Sequence, residues 1–76
     1  MESIEAKKIF ETNFGVVNES LGFSLTTKET KNGILVMKWY QRSSWSDDKL
    51  EKKVLLSNGK IYENNIKIGN YNLKQK

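Results

Sequence analysis

Asn58-Gly59 stands between two short apolar runs, Val54-Leu55-Leu56-Ser57 and Lys60-Ile61-Tyr62-Glu63. A type I′ turn needs positive φ at both central residues, and Asn-Gly meets that need at little steric cost. Flanked by apolar runs, the pair is the strongest short-range signal for a β-hairpin. The register it imposes sets Leu56 opposite Ile61 and Leu55 opposite Tyr62, so apolar side chains meet across the strands. Asn64-Asn65 offers a second two-residue turn, and pairing across it sets Ile61 beside Ile68 and Tyr62 beside Lys67. Strands over residues 52–57, 60–63 and 66–73 then form a meander. The competing possibility is a helix capped by Ser46-Asp47-Asp48 and stopped by Asn58-Gly59. It would scatter Leu50, Val54, Leu55 and Leu56 without an apolar stripe, so the hairpin is preferred.

Upstream, Phe23, Leu25 and Thr27 alternate with Ser24, Thr26 and Lys28, the period of a half-buried strand over residues 22–28. Lys31-Asn32-Gly33 supplies a turn, expected to use positive-φ residues. The run over residues 33–43 follows as the next strand. It divides into Leu35, Met37 and Trp39 on one side and Ile34, Val36, Lys38, Tyr40 and Arg42 on the other. The first set is wholly apolar and is taken as the core face, with Trp39 as packing. At the N-terminal end, Ala6, Ile9, Phe10, Asn13, Phe14 and Val17 recur at helical spacing, predicting a helix over residues 3–14. Glu2, Glu5 and the Ser3 hydroxyl suit its start, and Gly15 suits its stop. The expected fold is α+β: one N-terminal helix packed on an antiparallel sheet of about five strands, within a single domain.

At 76 residues such a fold buries a modest core and needs support. Without Cys or His, disulfides, thiolate metal sites and the commonest metal ligand are excluded, which leaves a homo-oligomer as the expected support. Cysteine-free composition, an acidic start and no long apolar run predict a cytoplasmic chain that does not engage a membrane.

Catalytic machinery is not expected. Nucleophilic catalysis needs an activating base, and without His or Cys only Lys, Tyr and carboxylates could serve. Asp47-Asp48 are adjacent, so they do not converge as an acid–base pair; capping suits them better. Asp47, Asp48 and Glu51 lack the spacing of a calcium loop, and the glycines stand singly. The chain is read as a non-enzymatic binder holding no metal or cofactor.

What it binds is suggested by charge. Residues 1–30 carry three lysines against five glutamates, whereas residues 31–76 carry ten bases against four acids. That asymmetry predicts a positive surface on the later elements, attractive to an anion. Lys38-Trp39-Tyr40-Gln41-Arg42-Ser43-Ser44-Trp45 interleaves bases with aromatics, the combination that stacks nucleobases and holds phosphates. Lys38, Tyr40, Arg42, Trp45, Lys60 and Lys67 are the candidate ligand-binding residues, with Lys49, Lys52 and Lys53 adding to the field. The composition, rich in Lys, Asn and Ile, is of the kind found in low-GC bacteria and their phages. The leading expectation is a phage or mobile-element protein sequestering an anionic nucleotide, such as a cyclic nucleotide signal of host defence, in the host cytoplasm. Two alternatives stand beside it: a single-stranded nucleic-acid-binding module, and an inhibitor or assembly component that docks a host protein.

Overall fold

A computed structural model describes residues 2–41 and 48–71. Helix α1 (Ser3–Phe14) precedes a 3₁₀ turn (Glu19–Leu21) and five strands: β1 (Phe23–Thr30), β2 (Gly33–Tyr40), β3 (Lys49–Ser57), β4 (Lys60–Glu63) and β5 (Ile66–Asn70). The strands pair antiparallel in chain order. This is the expected α+β fold, and residues 49–57 are strand. Among the described residues, no helix is long and apolar enough to cross a membrane.

Local chemistry explains each boundary. The Glu2 N–H donates to Glu5 Oε1 at 3.4 Å, so a carboxylate at the third helical position holds the start of α1, with Glu2 as the cap where Ser3 was expected. Gly15 ends the helix at φ 103° and ψ 152°, donating its N–H to Glu11 O, a positive-φ conformation outside the αL region expected of it. Asn58 and Gly59 have φ of 51° and 81°, and Asn64 and Asn65 of 54° and 66°, the signature of type I′ turns at both places. The β1–β2 turn works differently. Lys31 and Asn32 do not take positive φ; instead the Thr30 hydroxyl accepts from the Asn32 and Gly33 N–H groups and donates to Gly33 O.

Gly33, at φ 150°, passes so close to β3 that a Cβ there would collide with the Leu56 carbonyl oxygen. That oxygen belongs to the central strand and has nowhere to retreat. Gly33→Ala is therefore expected to destabilise by about 2 kcal/mol or more, read as a lowered urea midpoint with an unchanged slope.

The core lies between α1 and one face of the sheet. Ala6, Phe10, Ile34, Val36, Val54, Leu56 and Ile61 are buried, with Ile9, Phe14, Val17, Leu25 and Tyr71 packed around them. Ala6 is fully buried, a small residue where the helix approaches the strands. Asn13, expected on this face, is exposed and donates to Ile9 O. The largest departure from expectation concerns β2. Its core face is Ile34 and Val36, while Leu35, Met37 and Trp39 occupy the opposite, uncovered face. The Thr30–Gly33 turn is the cause: it pairs Thr27 with Val36 and Leu25 with Lys38, so β1's apolar face carries the even-numbered set with it.

The hairpin register is as expected for Leu56 with Ile61, Leu55 with Tyr62, and Tyr62 with Lys67. Ile61, however, pairs with Gly69 rather than Ile68, because β5 shifts register there. The shift leaves Ile68 45% exposed. It also changes the alternation so that Tyr71 returns to the core side, where its N–H donates to Gly59 O at 2.8 Å.

Candidate functional site

The single helix covers one face of the sheet, so the two faces have different chemistry. On the helix side Lys38 and Lys52 are directly paired across β2 and β3, a repulsive arrangement. Each turns to a different partner. Lys38 Nζ sits 4.6 Å from the centroid of the Phe23 ring, which itself packs at 4.8 Å against Tyr40. Lys52 Nζ lies 3.2 Å from Glu63 Oε2 and 4.9 Å from the Phe14 centroid. Both members of the Lys52–Glu63 pair are about one-third exposed, so water screens it. Glu63→Gln is expected to cost below about 1 kcal/mol in chemical denaturation; a larger loss would mean the pair is drier than its exposure indicates.

The uncovered face is built from the other half of each strand. One row crosses all five strands: Lys28, Leu35, Leu55, Tyr62 and Lys67. Both ends are cationic and the middle is apolar and aromatic. The neighbouring row on one side places Lys60 between Ser57 and Asn70, and that on the other runs Thr26, Met37 and Lys53. Beyond it Trp39 lies between Ser24 and Leu50. The Trp39 indole N–H donates to the Thr26 hydroxyl at 2.8 Å, which fixes the ring on this face.

Lys28, Lys53, Lys60 and Lys67 are all exposed and form no ion pair among the described residues. The acids lie elsewhere: Glu29 and Glu63 stand at helix-side positions. Near the uncovered surface, Glu51 sits at the β3 irregularity beside Trp39, and Asp48 immediately precedes β3. Trp39 and Tyr62 are about 16 Å apart from strand rise and spacing, with Lys53 between them. A hollow of about 660 Å³ opens at the Tyr62 end, among Lys31, Leu35, Lys53, Tyr62 and the turn asparagines.

The candidates expected from the sequence are thus divided. Lys38 and Tyr40 do share a face, but it is the helix side, where Phe23 engages both. Lys60 and Lys67 lie on the uncovered face, separated from that pair by the thickness of the sheet. Arg42 and Trp45 lie outside the described residues. Lys28 and Tyr62 were not singled out, Lys53 was counted only toward the positive field, and Trp39 was assigned to packing. The signal that finds them is register: once Leu55 faces Tyr62 and Leu35 faces Leu55, a lysine stands at each end of the row. No group of three or more acidic residues able to hold a metal ion is present among the described residues. No protein-family model, curated protein or solved structure matches the chain.

Proposed function

We propose that this chain binds single-stranded nucleic acid on the uncovered face of its sheet, without catalysing a reaction on it. The observation that carries the reading is the coincidence there of two aromatic rings, Trp39 and Tyr62, with four exposed, unpaired lysines. Rings stack bases of any sequence and lysines follow the phosphates, so an extended strand can cross the face using both. The ligand keeps the base-and-phosphate chemistry expected from the sequence. A sequestered cyclic nucleotide suits the geometry less well. Small ligands are held in pockets that bury most of their surface, whereas this face is broad and its hollow lies open along the sheet. A phage-type, anti-defence role is supported by composition alone, and a cytoplasmic setting accords with the cysteine-free sequence.

The test is fluorescence anisotropy with a labelled oligonucleotide at low salt, comparing the wild type with Trp39→Ala and Trp39→Phe. Loss of one stacking platform is expected to weaken binding by about 1–3 kcal/mol in the alanine variant, and by less in the phenylalanine variant. Absence of wild-type binding to DNA and RNA alike would end the proposal.

A second reading, pairing of an edge strand with a protein or another copy, is favoured by β5. This terminal strand exposes Ile66 at 65% and Ile68 at 45%, and the sequence has no proline to block its edge. Ile68→Lys is then expected to convert an oligomer to monomer in sedimentation; a wild type already monomeric at high concentration removes self-pairing.

A further inference from the structure

We propose that Asn58 is a site of spontaneous deamidation, and that the fold exposes it to this chemistry while shielding Asn32. The inference is independent of what the sheet binds. In the reaction the Gly59 backbone nitrogen gives up its proton and bonds to Asn58 Cγ. The Cγ–Nδ2 bond breaks, and the amide nitrogen leaves as ammonia. Water then opens the cyclic imide at either carbonyl, leaving aspartate, or isoaspartate with the main chain rerouted through Cγ. Glycine in the following position removes the side chain that would hinder ring closure. Asn32-Gly33 and Asn58-Gly59 have that arrangement, and every other asparagine precedes a residue with a side chain.

The two glycine nitrogens are held differently. The Gly33 N–H donates to Thr30 Oγ1 at 3.1 Å, the Asn32 N–H donates to the same oxygen at 3.2 Å, and the Thr30 hydroxyl donates to Gly33 O at 2.9 Å. Gly33 also abuts the Leu56 carbonyl, so its peptide can neither offer its nitrogen nor rotate. The Gly59 N–H forms no hydrogen bond among the described residues, and Asn58 is exposed at the hairpin tip. The Gly59 carbonyl alone is anchored, by the Tyr71 N–H at 2.8 Å. Ring closure proceeds from local openings, which are least costly at such a tip. Either product adds a carboxylate beside Lys60. Isoaspartate also lengthens the main chain of a two-residue turn whose length sets the pairing of Leu56 with Ile61.

The full chain is incubated in warm, mildly alkaline buffer, folded and in urea, and both sites are followed by peptide mapping with mass spectrometry. Isoaspartate is counted by enzymatic methyl labelling. In the folded chain Asn58 is expected to convert about tenfold faster than Asn32, the scale of one or two hydrogen bonds. In urea the two rates should converge. Thr30→Val should raise conversion at Asn32 without changing Asn58, whereas Thr30→Ser, which keeps the hydroxyl, should not. Equal rates in the folded chain, or an Asn58 that converts only in urea, overturn the proposal. An Asn32 still protected in folded Thr30→Val overturns the shielding by Thr30.

Discussion

Phe10→Ala is expected to lower the unfolding free energy by about 3–5 kcal/mol, the cost of emptying a buried aromatic site. A chain of this length has roughly 4–11 kcal/mol in total, so at the low end of that range the variant is partly or wholly unfolded near room temperature. The size of the effect follows from where Phe10 sits. It is 1% exposed, stacks 4.9 Å from Phe14 by ring centroids, and meets the Ile34, Val36, Val54, Leu56 and Ile61 surface from the helix side. α1 is the main layer over that surface, with Val17 and Tyr71 packed beside it, and Phe10 and Ala6 are its only buried residues. Urea unfolding followed by circular dichroism gives the value. The same experiment checks the assignment of faces: Val36→Ala is expected to cost about 2 kcal/mol and Met37→Ala below about 1. Equal losses at the two positions would mean that both faces of β2 are covered.

That pair of neighbours also shows how far the sequence could be read. Helix α1, both asparagine turns and the pairing of Leu56 with Ile61 were legible because each depends on local chemistry: a 3.6-residue period, positive-φ residues, or a fixed turn length. The face of β2 was not, because both alternating sets begin apolar, and hydrophobicity favoured Leu35, Met37 and Trp39. What decided it was non-local. Phe23, Leu25 and Thr27 lie on the helix side, and the two-residue connection from Thr30 to Gly33 forces Val36 and Lys38 to accompany them. The register shift at Ile68 was hidden for a similar reason. Strict alternation sends Ile68 inward and Tyr71 outward, whereas setting Gly69 opposite Ile61 brings Tyr71 back to the core. The candidate site inherited the error over β2. Lys60 and Lys67 were recognised as cations, but the aromatic partners they share a face with are Trp39 and Tyr62, not Tyr40.

Converting Lys28, Lys53, Lys60 and Lys67 together to glutamine is expected to abolish most of the affinity for single-stranded oligonucleotides and most of its salt dependence. Each lysine that neutralises a phosphate releases counterions, contributing about −0.7 to the slope of log affinity against log salt for single strands. Four such contacts give a slope near −3 for the wild type, so affinity falls roughly fiftyfold over a fourfold rise in salt. The quadruple variant keeps only what stacking on Trp39 and Tyr62 supplies, with a slope close to zero. The fold should tolerate the change, since all four side chains are exposed and form no ion pair among the described residues, and replacing them relieves repulsion across one face. Lys38→Gln is the matching control. Its ammonium group lies over Phe23 on the helix side, so it should leave the slope unchanged. If Lys38→Gln flattens the slope while the quadruple variant does not, the phosphates run along the helix side, and the ligand surface is the one that the sequence pattern from Lys38 to Trp45 first suggested.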